Sequence, residues 1–95
     1  MELYEMRTGA ARTSEKLVSM GKSLNLEEKR KTLEANNAKM AEADFWNDQK
    51  AAQRLIKQTN QIKGLIESYD SMSSALSDLS DSIAELSDTF DEDMN

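Results

Sequence analysis

The sequence predicts an all-α fold, an antiparallel arrangement in which two short helices pack on the first half of one long C-terminal helix. Three observations support this prediction. Apolar residues recur at spacings of three and four from Asn47 to Phe90, which is the seven-residue repeat of a coiled-coil helix. The chain has no proline, three glycines and 32% charged residues, a composition that favours helices. No segment shows the alternation of apolar and polar residues that is typical of strands.

The first helix is predicted at residues 2–22, where apolar positions step by three and four from Leu3 to Leu24. Gly9 weakens this helix, because glycine in a helix interior costs about 1 kcal/mol relative to alanine. Gly21 is expected to supply the left-handed residue that ends it. The link that follows is short, so we expect the second helix to be an antiparallel neighbour of the first.

The second helix is predicted at residues 26–43. Asn25 and Glu28 have the spacing of a capping box, in which the first side chain accepts hydrogen bonds from the amides of the first helical turn. The apolar stripe is thin, since Leu26, Leu33 and Met40 lie seven residues apart. Such a stripe indicates a weakly buried helix that serves mainly as a cover.

Two adjacent aromatic residues, Phe45 and Trp46, occupy the next joint. Acidic and amide side chains flank them and suit the N-terminus of a new helix, where they can cap free amides. We expect both rings to close off the apolar layer, as a structural plug at the end of the bundle.

The long helix is predicted at residues 48–90, with a break near Asp70 to Ser74 left open. It would reach about 65 Å, whereas each short helix reaches about 30 Å. The short helices are therefore expected to leave its second half bare. Burying the apolar side chains there would gain on the order of 10 kcal/mol, so this docking seam should be covered by further parent chain or by a second copy. The seam consists of Met72, Leu76, Leu79, Ile83, Leu86 and Phe90.

Charge and composition exclude several classes of function. The net charge of −6 is uneven, because residues 64–95 hold nine acidic side chains and no basic one, which argues against nucleic-acid binding by that segment. The absence of histidine and cysteine excludes imidazole bases, thiolate nucleophiles and the common zinc and haem ligand sets. We expect no enzyme activity, no cofactor and no metal site. With no membrane-length apolar run and no signal peptide pattern, a cytoplasmic protein is expected.

The joint carries a resemblance to a known family. The block Lys39-Met40-Ala41-Glu42-Ala43-Asp44-Phe45-Trp46-Asn47-Asp48, followed by Ala51-Ala52-Gln53, resembles the N-terminal helical domain of the bacterial peptide chain release factor 2 family, a class I release factor family. The resemblance extends to nearly the whole chain through Met1-Glu2-Leu3, the Ser23-Leu24-Asn25-Leu26-Glu27 link and Leu33-Glu34. Ala43 stands where the family often has proline.

The resemblance implies a role in translation termination on the ribosome. Family members read a stop codon with one domain and trigger peptidyl-tRNA hydrolysis with a Gly-Gly-Gln loop in another. Neither that loop nor the Ser-Pro-Phe reading motif occurs here. Residues 1–95 are therefore expected to be a single helical domain, the N-terminal domain of a longer chain, acting as a positioning and interaction module.

The resemblance also implies partners. They are the ribosome near its stalk base and the recycling GTPase of termination, reached through the parent protein, together with the remaining domains of that parent. As an isolated fragment the chain is expected to form a homo-oligomer. The basic patch Lys29-Arg30-Lys31 is interpreted as a solvated helix face, with contact to ribosomal RNA or an acidic protein as the alternative.

Two other functions remain open. A small secreted helical hairpin with a central Trp turn fits the length, the acidity and the position of Trp46, although Asp48 replaces the glycine of such a turn. The other is a coiled-coil adaptor, for which a stable dimer would be evidence. One uninterrupted N-terminal arm would favour the hairpin.

Overall fold

The computed structural model describes residues 2–94, with side chains described to residue 89, and contains three α-helices. Helix α1 spans Leu3–Ser23, α2 spans Leu26–Met40 and α3 spans Gln49–Met94, with a 3-10 turn at Phe45–Asn47 before α3. No strand occurs within this described range. The molecule is a rod of 70 × 23 × 17 Å. The predicted all-α fold, with two shorter helices packed on one long helix, is confirmed.

Helix α3 is continuous over 46 residues. It passes through Asp70 to Ser74 without a break, and it ends at Met94 rather than at residue 90. Serine is a middling helix former, but the three-and-four spacing of apolar residues keeps one phase through this stretch. Packing along that face therefore supports the helix where intrinsic propensity is modest.

Both shorter helices run antiparallel to α3, one after the other along its length. Near the start of α1, the Arg7 side chain donates hydrogen bonds to Ser87 Oγ, one of them at 2.9 Å. Near the end of α1, the Tyr69 hydroxyl donates to the Leu17 carbonyl over 3.0 Å. As the residue number rises along α1, its partners on α3 therefore fall from position 87 to position 69.

Helix α2 continues along the first half of α3. Arg30 donates two hydrogen bonds to the Asp70 carboxylate, at 2.6 and 3.0 Å. Near the other end of α2, the buried Asn36 side chain donates to the buried Thr59 hydroxyl at 3.1 Å, and that hydroxyl donates to the Leu55 carbonyl at 2.7 Å. These contacts fix the position of α2 between Thr59 and Asp70.

One detail of the predicted arrangement is therefore wrong, because α1 packs on the second half of α3 and not beside α2 on the first half. Lying side by side, two helices of this size would cover only about 30 Å of α3. Laid end to end, helices of 21 and 15 residues reach about 54 Å, and α3 reaches about 69 Å. The end-to-end arrangement covers more of the apolar face of α3, so it buries more surface.

The link between α1 and α2 also differs from the prediction, because α2 runs in the same direction as α1 along α3 and is not its antiparallel neighbour. Gly21 lies inside α1 without a positive φ, and Asn25 adopts the left-handed conformation instead, with φ of 52°. Helix α2 begins after Asn25 as expected, but the Asn25 side chain makes no capping hydrogen bond. A left-handed backbone replaces the extended conformation that N-cap side chains normally need. Lys29 Nζ instead donates to the Leu24 carbonyl at the end of α1.

Helix α2 ends at Met40, three residues before the predicted end. The Ala41 amide is shared between the Asn37 and Ala38 carbonyls, each at 3.2 Å, and the Glu42 amide bonds to the Lys39 carbonyl at 3.1 Å. This change to shorter-range hydrogen bonds tightens the last turn and ends the helix. The chain then enters the Phe45–Asn47 turn that leads into α3.

Alanine substitutions at two glycines of α1 should have opposite effects on stability. Nothing lies within 4 Å of a Cβ placed on exposed Gly9, so Gly9→Ala should raise the free energy of unfolding by about 0.5–1 kcal/mol. A Cβ on Gly21 would lie 2.6 Å from the Tyr69 hydroxyl and 3.0 Å from Cζ. Gly21→Ala should displace the Tyr69 ring and weaken its hydrogen bond to the Leu17 carbonyl. The free energy of unfolding should therefore fall by about 1 kcal/mol. Urea unfolding of both variants measures this, and equal stabilisation by both would contradict it.

The Arg30–Asp70 pair should shift the titration of Asp70. Hydrogen bonds from Arg30 hold the pKa of the Asp70 carboxyl below its ordinary value of 3.8, with direct charge attraction in the same direction. The pair therefore stabilises the fold above the pKa of unfolded Asp70, and this contribution is lost as the pH falls through the lowered pKa.

Carbon-13 NMR titration of the Asp70 carboxyl should show its pKa rising in Arg30→Gln. Lys31→Gln is the matched control, because Lys31 pairs with Glu27 at 3.9 Å and should leave Asp70 unchanged. An Asp70 titration that is the same in all three proteins would contradict the role of Arg30.

Candidate interaction surface

The structure divides the predicted docking seam into two columns on α3. Ile83 is 4% exposed, and Leu76 is half-buried. Ile83 borders the same groove as Arg7 of α1, so this column lies against α1. The other column is exposed, with Met72 at 49%, Leu79 at 48% and Leu86 at 53%. The side chain of Phe90, the last residue of the seam, lies outside the described side chains.

The exposed column results from a rotation of α3 relative to the predicted packing face. The buried positions of α3 include Ala52, Thr59, Ile66 and Ser87, which fall one residue after positions 51, 58, 65 and 86 of the predicted seven-residue repeat, whereas buried Ile83 lies on the repeat itself. One residue is about 100° around an α-helix. The shorter helices thus pack on one flank of the apolar face and leave the other flank in solvent.

Helix α1 extends this exposed flank. Arg7 lies on the opposite flank, where it lines a groove with Ala84 and Asp88. At about 100° per residue, Met6 and Met20 lie on the other side of α1, facing the same direction as the exposed column of α3. Met20 is 47% exposed and Met6 is half-buried. We call Met20, Met72, Leu79 and Leu86 the apolar column.

The apolar column is the strongest candidate contact surface in this part of the rod. Fully burying one aliphatic side chain of this size gains about 1.5–3 kcal/mol, so covering four half-exposed ones gains roughly 3–6 kcal/mol. Contiguous apolar patches of this kind mark interaction sites more often than isolated exposed residues do. The arrangement can hold another helix, because its residues on α3 recur every seven positions.

The aromatic pair at the joint is only partly a plug. The Phe45 and Trp46 rings meet edge to face, with centroids 4.9 Å apart and planes at 81°. Phe45 is half-buried, but Trp46 is 59% exposed, so the expected plugging role of Trp46 is wrong for this chain by itself. The 3-10 turn places the two adjacent side chains in different directions.

The Asp48 carboxylate accepts a hydrogen bond from the Ala51 amide at 3.1 Å, as expected for a residue that caps α3.

The basic patch of α2 is engaged within the chain. Arg30 is bound to Asp70, Lys31 lies 3.9 Å from Glu27, and Lys29 donates to the Leu24 carbonyl. The structure therefore gives these side chains intramolecular partners.

The described residues contain no cluster of acidic side chains suited to a metal ion. None of the helices described is long and apolar enough to cross a bilayer.

Comparison with known proteins identifies relatives of the chain. Residues 29–95 match the PCRF domain. Over 94 residues, or 99% of the chain, the sequence is 33% identical to peptide chain release factor 2 of Staphylococcus epidermidis and 32% identical to that of Staphylococcus saprophyticus. It is 30% identical to the protein of the same name in Staphylococcus aureus. The chain spans about a quarter of the length of these relatives, at 25–26%. No solved structure matches it significantly.

Proposed function

Since the chain belongs to the PCRF domain family, we propose that it is the N-terminal domain of a peptide chain release factor that acts in translation termination on the ribosome. The observation that carries this proposal is similarity along 99% of the chain to proteins named peptide chain release factor 2. The similarity includes α1, which precedes the matched domain at residues 29–95.

Within that protein the domain is a positioning and interaction module and not an enzyme. The sequence has no Gly-Gly-Gln loop for hydrolysis and no Ser-Pro-Phe motif for codon reading. It has no histidine or cysteine to serve as a base or nucleophile. A rod of 70 Å with exposed flanks is suited instead to holding the other domains relative to a large partner.

The apolar column is the surface on which we place the contact with the rest of the parent protein. Its three residues on α3 are about half exposed and recur every seven positions, which is the pattern of one helix packing against another. The partners proposed for the parent are the ribosome near its stalk base and the GTPase that acts in termination. Because both proposed partners act in the cytoplasm, we propose that the protein acts there too.

The alternative functions gain less support. A hairpin with a central Trp turn calls for one uninterrupted arm before Trp46, whereas the first arm here is broken at Leu24 and Asn25. A coiled-coil adaptor remains compatible with the exposed column. It would bind a second copy or another coiled coil through the same residues.

A peptide-release assay tests the proposed function. On ribosomes halted at a stop codon, the parent protein should release the peptide, and residues 1–95 by themselves should release none. The parent lacking residues 1–95 should need a higher concentration for half-maximal release, because the deletion removes positioning contacts and leaves the chemistry. Release by the isolated chain would contradict the proposal. So would a reading frame that encodes no Gly-Gly-Gln loop after residue 95.

The apolar column should make the isolated chain self-associate. Leu79→Glu with Leu86→Glu places charge on the column and should return the chain to its monomer mass of 10.7 kDa in sedimentation equilibrium. Ser74→Glu with Ser77→Glu adds the same charge at exposed positions of α3 outside the column and away from the Arg7 groove, and should leave association unchanged. A monomeric wild-type chain, or equal weakening by both pairs, would contradict the role of the column.

A further inference from the structure

The first part of α3 carries basic side chains without acidic neighbours. Residues 49–66 contain four Lys and Arg side chains and no Asp or Glu. Three of the four share one helix face, because their spacings of four and three keep them on one side. Exposed amide side chains lie beside them on the same face. We call this surface the basic stripe; it consists of Lys50, Gln53, Arg54, Lys57, Asn60 and Gln61.

The basic stripe faces away from the rest of the protein. Helix α2 packs on the side of α3 that holds the buried residues Ala52, Thr59 and Ile66. All six side chains of the stripe are exposed. Among the side chains described, none of its three cations has a carboxylate at ion-pair distance, whereas Arg30, Lys31 and Lys63 each do.

The composition of the stripe favours a polyanion over a folded protein as its partner. Stable protein interfaces bury an apolar core and often aromatic anchors, and the stripe has neither. Contacts with nucleic-acid phosphates come mostly from Arg and Lys, supported by Asn, Gln and other polar side chains. The stripe has this set of residues, along about 16 Å of a straight helix.

We propose that the basic stripe binds the phosphate backbone of folded RNA. The choice of RNA rests on the proposed function, which places the chain on the ribosome. The other half of α3 supports a defined orientation, since residues 64–95 carry nine carboxylates and no cation and are repelled by phosphate. The rod therefore contacts the RNA with the end that holds α2 and points its acidic end away.

Fluorescence anisotropy with a labelled RNA hairpin tests this proposal on the chain as it stands. Three phosphate contacts predict that the logarithm of the binding constant falls with the logarithm of salt concentration with a slope of about −2 to −3. Lys50→Gln, Arg54→Gln and Lys57→Gln together should weaken binding on the order of tenfold or more at low salt and reduce the slope by about one per residue. Glutamine is a good helix former, so circular dichroism should show unchanged helicity.

The matched control combines Arg12→Gln, Lys16→Gln and Lys39→Gln. It removes the same charge, one Arg and two Lys, from exposed positions outside the stripe and should keep the slope of the wild-type chain. An equal loss of RNA affinity in both triple variants would overturn the proposal, because net charge would then explain the binding. If poly-glutamate binds the stripe as tightly as the RNA does, the RNA proposal is overturned, and an acidic protein becomes the favoured partner. RNA binding and peptide release are separate measurements, so either proposal can fail without the other.

Discussion

The structure depends on covering the apolar face of a single helix about 69 Å long. Neither α1 nor α2 is long enough to do this, and each has a modest apolar stripe of its own. Placed one after the other along α3, the two helices together protect most of its length on one flank. The kink at Asn25 permits this, because its left-handed backbone ends α1 and starts α2 with only two residues between them.

Polar contacts set the register of this arrangement. Among the described side chains only five apolar ones are buried, and two of these are alanines, so they specify poorly which turn of α1 or α2 faces which turn of α3. The hydrogen bonds of Arg7, Leu17, Arg30 and Asn36 reach α3 at three levels, which are Ser87, the adjacent residues Tyr69 and Asp70, and Thr59. The Asn36–Thr59 pair matters most for specificity, because both groups are buried and a shift in register would leave them unpaired.

The faces of α3 have different physical properties and suit different partners. One flank holds α1 and α2, the adjacent flank presents the apolar column, and the back of the first half presents the basic stripe. Apolar side chains gain free energy by being buried against another helix, whereas the cations stay hydrated until an anion replaces the water. A domain that joins a larger protein through one surface and contacts the ribosome through another would use both.

The all-α class, the three helices, the continuous phase of α3 and the family resemblance could be predicted from the sequence, because all of these depend on local spacing and on a specific block around Phe45 and Trp46. The position of α1 on the second half of α3, the exposure of Trp46 and the left-handed conformation of Asn25 could not be predicted in this way, because they depend on how the helices pack. Helix periodicity defines an apolar face to within about one residue, or 100°. The choice between its two flanks depends on contacts between residues as far apart as Arg7 and Ser87, which no local pattern records.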